Sequence, residues 1–180
     1  GAPKTDRIPC WWVGPFTAEQ LLRHRRSDIL NFLKAAPALS NLQWVFFTRN
    51  LQGCHWILVG FDVPGRCVHV WNTARSFAFA EDLDQFLQRI GYFFWCWGEQ
   101  DGQNFDVRDW PVEDHAYTPQ QFMESSTCGP SVVFNSHVVS CFGAKLLWWQ
   151  MPCLTQAEVQ STARALHLRL LLSTYELTGE

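Results

Sequence analysis

The chain has 180 residues, a formal net charge of −3 and 47% hydrophobic residues, which suits one globular domain with a sizeable core. The absence of any long Lys/Arg-rich stretch argues against nucleic acid as the main partner. No apolar run reaches the length of a membrane span, which argues against a membrane partner. We also expect the protein to be a monomer.

The N-terminal part of the chain predicts two helices after an irregular start. Residues 1–16 contain prolines and predict an irregular N-terminal extension, whereas residues 17–180 predict a single domain. Thr17-Ala18-Glu19-Gln20 matches a capping box and predicts a short helix. Ser27-Asp28 can cap a second helix, whose apolar residues recur at helical spacing until Pro37 ends it.

The next part of the chain predicts three strands. Residues 42–48 are apolar and aromatic and indicate a buried strand. Residues 55–62 and 67–71 indicate two further strands on either side of Val63-Pro64-Gly65-Arg66. That order of Pro and Gly is typical of a type II turn, so the two strands are predicted to form a hairpin.

The second half mixes further helices and strands. Residues 80–90 carry apolar side chains at helical spacing, and residues 92–97 and 105–110 are hydrophobic enough to predict two more strands. The stretch 111–127 is polar and predicts an irregular connection, and 155–175 predicts a C-terminal helix. Helices, then strands in hairpin order, then helices again indicate an α+β domain.

Seven cysteines, at positions 10, 54, 67, 96, 128, 141 and 153, include no Cys-x-x-Cys pair. The odd count argues against a disulfide framework or a closed zinc site. Cys54-His55 and Cys67-Val68-His69 offer metal-ligating atoms, but the preferred interpretation is that these cysteines are buried in strands. We therefore expect no metal or cofactor and a reducing intracellular compartment, the cytoplasm or the nucleus.

The stretch from Glu124 to Asn135 is the centre of the functional hypothesis. Thr127 or Cys128 stands at the predicted start of an apolar helix, with Pro130 in its first turn. The helix dipole and the unpaired first-turn N–H groups favour a thiolate, which is the nucleophilic form of cysteine. A buried cysteine that only packs is the competing interpretation.

Three other polar residues can be brought to this cysteine. The predicted hairpin places His55 near Asn72, which lies 17 positions later, so the amide can orient the imidazole. Gln121 lies seven positions before Cys128, where its side chain and the Cys128 N–H can form an oxyanion hole. A structural histidine and a solvated glutamine are the plainer alternatives.

The motifs Cys54-His55-Trp56, Trp71-Asn72 and Gln121 before Cys128-Gly129 resemble the SUMO-protease and adenain-like clan of cysteine peptidases. The resemblance implies a papain-like α+β fold, in which helices flank a mixed central sheet and the nucleophile begins a central helix. It also implies a catalytic set of Cys128, His55, Asn72 and Gln121. The implied partner is a ubiquitin-like modifier whose C-terminal tail is hydrolysed, with Trp56 as one wall of the groove that holds that tail.

The chain departs from this pattern at two places. Asn72 replaces the commoner Asp or Glu, and Arg25-Arg26-Ser27-Asp28 lacks the Trp that closes the tail tunnel in SUMO proteases. Trp11, Trp12 or Trp44 are the candidates for the second wall. Three alternatives therefore stay open: a viral or mobile-element protease that processes polyproteins, an acyltransferase of the same clan, and a ubiquitin-like-binding module with decayed catalysis.

Overall fold

The structure is a computed structural model, and it describes residues 8–14, 25–74, 80–115, 118 and 128–142, with the single residues Ala157, Ser161 and Ala165. The helix predicted from Thr17 lies outside these residues. So does the helix predicted from Thr155, except for the three single residues, which are helical and exposed.

The described elements are, in chain order, β1 (Cys10–Val13), α1 (Arg26–Leu33), β2 (Trp44–Leu51), β3 (His55–Asp62), β4 (Cys67–Trp71), α2 (Ala80–Gln100), β5 (Val112–Asp114) and α3 (Cys128–Phe142). The strands form one sheet in the order β1-β2-β3-β4-β5. The two central pairings are antiparallel and the two outer ones are parallel, so the sheet is mixed. Among the described helices, none is long and apolar enough to cross a membrane.

Helices cover both faces of the sheet, because its strands are apolar on both sides. Val45 and Phe47 of β2 join the larger core, which also contains residues of α1 and α2. The alternate residues Trp44 and Phe46 join a second cluster with Val132 of α3. This period of two is what places successive side chains on opposite faces. The predicted α+β fold with a mixed central sheet is confirmed.

The turn before β3 sets where that strand begins. Gln52 and Gly53 have φ of 55° and 76°. The N–H of Cys54 donates to the carbonyl of Leu51 at 3.1 Å. Two successive positive φ angles closed by this hydrogen bond make a type I′ turn, whose twist matches that of antiparallel strands. The strand pairing begins one residue after this turn, where His55, the first residue of β3, pairs with Leu51.

The predicted hairpin of β3 and β4 is confirmed, but its predicted type II turn is wrong. A type II turn needs positive φ at Gly65, whereas the positive φ, 49°, is at Arg66. The Asp62 side chain accepts a hydrogen bond from the Gly65 N–H at 3.1 Å and stabilises a different turn. The ladder runs from the pair Asp62–Cys67 to the pair Leu58–Trp71.

Helix boundaries differ from the prediction at two helices. Helix α1 begins at Arg26, after Arg25, so Asp28 lies inside its first turn and accepts from the Arg25 N–H at 3.3 Å. Helix α2 runs to Gln100, so the strand predicted over residues 92–97 is wrong. The physical reason is that the helical spacing of the buried residues continues, through Ile90, Phe93, Phe94 and Trp97.

Both edge strands differ from the prediction. Residues Cys10–Val13, predicted as irregular, form β1 and pair in parallel with β2. The strand predicted over residues 105–110 is wrong, because residues 107–109 form a 3₁₀ turn and the strand is Val112–Asp114, within the stretch predicted as irregular. Each edge strand is three or four residues long, and such short segments are stabilised by their partner strand rather than by their own pattern.

Candidate active site

His55 and Asn72 meet at one end of the sheet. His55 begins β3, the central strand, and Asn72 directly follows the last residue of β4. The His55 Nε2 lies 2.8 Å from the Asn72 Oδ1. The contact is diagonal, because the ladder ends at the pair Leu58–Trp71 before it reaches either residue. The predicted closeness of these two side chains is confirmed.

The hydrogen bonds around Asn72 determine the form of the imidazole. The Asn72 Oδ1 also accepts from the Ala74 backbone N–H at 2.9 Å, and a backbone N–H requires an oxygen there rather than the amide nitrogen. Because this oxygen is an acceptor, the His55 Nε2 must be the donor. In the neutral ring the lone pair is then on Nδ1. In a Cys-His-Asn arrangement, the ring nitrogen that the orienting residue does not hold takes the proton of the thiol.

Burial determines the charge of His55. The side chains of His55 and Asn72 are both buried, at 1% and 3% exposure. Loss of solvent lowers the pKa of His55 below its ordinary value, and the hydrogen bond that His55 donates to Asn72 opposes this with a smaller effect. The imidazole is therefore neutral at pH 7, which is the form that accepts a proton.

Cys128 begins α3, as the sequence predicted. The residue is 8% exposed, and Pro130 occupies the first helical turn, where a missing N–H costs nothing. The helix packs against β3 and β2. The helix that begins with Cys128 therefore packs on β3, the strand that begins with His55. The first-turn N–H groups of a helix stabilise negative charge on a neighbouring atom.

The order of thiol labelling tests the assignment of Cys128. If solvent exposure alone determined the rate of labelling, Cys54, which is exposed, would react before Cys128, which is buried. If Cys128 is the nucleophile, a mild alkylating reagent at neutral pH labels Cys128 first, because a thiolate reacts faster than a thiol. Mass spectrometry of peptides after a short reaction measures this order. Early labelling of Cys54 or Cys10 with an inert Cys128 would contradict the assignment.

The other predicted site residues have different outcomes. Gln121 lies outside the described residues. Trp56 is half-buried, pairs with Asn50 and packs against the second cluster, so part of its ring stays accessible. The role of Trp56 as a groove wall stays a prediction.

The three candidates for a second groove wall lie at the opposite end of the sheet. Trp44, at the start of β2, pairs with Asp62 at the end of β3. Trp11 and Trp12 of β1 pair with residues 45 and 46 of β2. On β2, these positions lie at least five residues from Leu51, the partner of His55. At about 3.4 Å per residue, this separation is about 17 Å or more. None of the three can therefore form a wall beside His55.

One contributor to the site was not predicted. The Ala74 N–H donates to the Asn72 Oδ1 and so helps to fix the direction of the Asn72 amide. The sequence does contain a signal for this bond, since an Asn side chain often accepts from the backbone N–H two residues later.

Comparison with solved structures relates this geometry to known proteins. The chain is similar to the SUMO protease Ulp1 with its catalytic cysteine oxidised to a sulfonic acid, at a TM-score of 0.65 and 15% identity, over 89% of this chain and 68% of that chain. The chain is also similar to the C-terminal Ulp1 protease domain in complex with Smt3, the yeast ortholog of SUMO. The TM-score is 0.64 and the identity 16%, over 89% of this chain and 67% of that chain. The chain has the fold of the Ulp1-like SUMO proteases.

The Ulp1-like catalytic domain of Chaetomium thermophilum extends this finding, at a TM-score of 0.58 and 17% identity, over 92% of this chain and 61% of that chain. The chain thus spans about two thirds of the length of these SUMO proteases. No protein family and no curated protein matches the chain by sequence. The resemblance to the SUMO-protease and adenain-like clan is therefore confirmed as a likeness of fold, which is that of a cysteine protease.

Proposed function

We propose that the chain is a cysteine peptidase that hydrolyses the C-terminal tail of a ubiquitin-like modifier, from a precursor or from an isopeptide bond. Cys128 is the nucleophile, His55 the general base and then acid, and Asn72 the residue that orients His55. Gln121 and the Cys128 N–H stabilise the oxyanion. The observation that carries the proposal is the Asn72–His55 hydrogen bond, which leaves the lone pair on the His55 Nδ1.

The reaction follows from these roles. The Cys128 thiol gives its proton to the His55 Nδ1, and the sulfur attacks the carbonyl carbon of the scissile bond. The charged imidazolium then donates that proton to the leaving amine, so the C–N bond breaks and an acyl-enzyme remains. Water then attacks the thioester carbonyl while His55 takes one of its protons. The C–S bond breaks, His55 returns the proton to the Cys128 sulfur, and the tail leaves with a free carboxylate.

The proposed substrate rests on the comparison with solved structures. One similar structure is a SUMO protease domain in complex with Smt3, the yeast ortholog of SUMO. Tails of such modifiers are flexible, so their fixation loses entropy that a narrow groove must offset. Trp56 is the proposed wall, because it directly follows His55 and is only half-buried.

A panel of ubiquitin-like proteins with electrophilic C-termini tests the proposal. We expect one modifier of the panel to form a covalent adduct with Cys128, detected as a mass increase. Binding of a modifier without an adduct would favour the binding module. Absence of both, together with cleavage of unfolded peptides, would favour a polyprotein-processing protease. Transfer of an acyl group to an added amine instead of water would favour an acyltransferase.

Replacement of Trp56 separates a groove wall from a core residue. If Trp56 is a wall, Trp56→Ala loses most turnover of a substrate with a Gly-Gly tail, keeps its melting temperature within a few degrees and retains alkylation of Cys128. If Trp56 is core, the variant loses about 3–5 kcal/mol of stability, as large aromatic truncations do. Steady-state kinetics and a thermal melt measure the two effects.

The matched control for this prediction is Trp12→Ala. Trp12 is an exposed tryptophan on β1, at the opposite end of the sheet from His55, so its truncation should alter turnover little. A Trp56→Ala variant that melts far earlier while its folded fraction cleaves normally would exclude the groove wall. The case for a ubiquitin-like tail would then weaken in favour of a broader peptide-processing protease.

A further inference from the structure

Strands β4 and β5 bring four metal-ligating side chains to one face of the sheet. Cys67 and His69 are two residues apart on β4, and Glu113 and His115 are two residues apart at β5, so each pair shares a face. The parallel register places His69 directly opposite Glu113. Sequence alone indicated Cys67 and His69 as buried strand residues, because β5 and its register were not predicted.

The distances show how closely these groups meet. The ligating atoms of Cys67, His69 and Glu113 all lie within 4.8 Å of one another. The His69 Nδ1 is 3.4 Å from the Glu113 Oε2 and 2.8 Å from the His115 Nε2. Ligands of a tetrahedral zinc ion are about 3.2–3.8 Å apart, which follows from bond lengths of about 2.0–2.3 Å. The His115 Nε2 lies outside this group of three, because it faces the His69 Nδ1 directly in their hydrogen bond.

The aromatic neighbours hold the two imidazoles in position. Trp71 stacks on His115 with ring centroids 4.6 Å apart and on His69 at 5.8 Å. Trp44 contacts the His69 ring edge-on at 5.0 Å. His69 is buried, while the Glu113 side chain is 62% exposed, so an ion can enter from solvent beside the carboxylate. Rings fixed by packing lose little freedom when they bind an ion.

We propose that Cys67, His69 and Glu113 bind one Zn²⁺ ion that joins β5 to β4, with water in the fourth position. One sulfur, one nitrogen and one carboxylate oxygen are all ligand types that zinc accepts in tetrahedral sites. The ion displaces the thiol proton of Cys67 and takes the lone pair of the His69 Nδ1, so the hydrogen bond between the two imidazoles breaks and the His69 ring carries its proton on Nε2.

The position of the site gives the ion a structural role. Strand β5 has three residues, all exposed, and pairs with β4 alone among the described strands. A short edge strand of this kind has little apolar surface to bury. Two ligands from β4 and one from β5 would fix its register. Because Asn72 directly follows β4, the same ion would also stiffen the strand that presents it.

Metal titration of the full chain tests the proposal. The Cys128→Ala variant is the parent, since this removes the proposed nucleophile as a competing zinc ligand. After treatment with a chelator, we expect the parent to bind one equivalent of Co²⁺ or Zn²⁺. The cobalt form should show the d–d bands of tetrahedral cobalt and a charge-transfer band from thiolate sulfur. Zinc should raise the melting temperature.

Variants in the same background identify the ligands. Cys67→Ala should lose the sulfur-to-cobalt band, and Glu113→Gln, at an exposed position where folding is not at risk, should weaken binding about tenfold or more. Cys10→Ala, a matched thiol on β1, should bind as the parent does. The proposal is overturned if the parent binds no ion, or if Glu113→Gln binds as tightly as the parent with the sulfur band unchanged.

Discussion

Cys128→Ala is expected to lower turnover of a ubiquitin-like substrate by about six powers of ten, the scale of removing a catalytic nucleophile. The reason is that alanine has no atom that can form the acyl-enzyme, while His55 and Asn72 remain in place. Steady-state cleavage of the modifier identified by the electrophilic probes measures the effect. The fold should persist, because the change removes one sulfur atom from a residue at the end of a helix.

The control for this prediction is Cys10→Ala, which removes a thiol from β1 and should keep normal turnover. Circular dichroism and thermal melts of both variants separate lost chemistry from lost structure. The Cys128→Ala protein should still bind the modifier, which can be measured by calorimetry. A folded variant with substantial turnover would show that another residue is the nucleophile.

Asn72→Ala is expected to slow catalysis by about two to four powers of ten, as for the orienting residue of other triads. Without the Asn72 oxygen, the hydrogen bond that keeps the His55 proton on Nε2 is lost, so the lone pair no longer points reliably from Nδ1. The loss should fall on kcat rather than on KM, because Asn72 touches His55 and not the substrate in this mechanism. Full activity in the variant would mean that a different residue orients His55.

Asn72→Asp is the matched variant, because it keeps the shape of the side chain and adds a negative charge. A carboxylate 2.8 Å from the His55 Nε2 would favour the imidazolium, so the pKa of His55 should rise from its lowered value. NMR titration of the ring protons in the Cys128→Ala background measures this shift. We expect catalysis to be tolerated or improved, since the charge stabilises the imidazolium that forms during the reaction. An unchanged pKa would contradict the contact.

Much of the candidate site was predictable because it depends on short-range features. A hairpin of two strands and one turn is enough to bring His55 near Asn72. Residues 63–66 correctly predicted a turn at that place, although the predicted type of turn was wrong. The helix start at Cys128 was likewise predictable, since a polar stretch followed by Pro130 and an apolar run marks an N-terminus locally. Both features involve neighbours within about 20 residues.

The errors occurred where one residue pattern fits two structures. Residues 92–97 are so aromatic that they satisfy a buried strand, but the helical spacing from Leu83 to Trp97 extends α2 through them. Local propensity cannot decide between a strand and a helix here, because a continuous aromatic run satisfies both the strand period of two residues and the helical period of 3.6. Packing decides: Trp11 of β1 contacts Trp97 with ring centroids 4.6 Å apart, and the Trp97 Nε1 donates to the carbonyl of Pro37.

By itself, the sequence determined the α+β class, the central hairpin with His55 and Asn72, and the helix that starts at Cys128. Only the tertiary structure decided the edge strands β1 and β5, the length of α2, and the meeting of Cys67 and His69 with Glu113 and His115. The physical reason is the separation along the sequence of the residues that must interact. Hairpins and helix starts are specified by adjacent residues, whereas parallel edge strands and the side chains across them pair over dozens of residues, and no local pattern encodes that register.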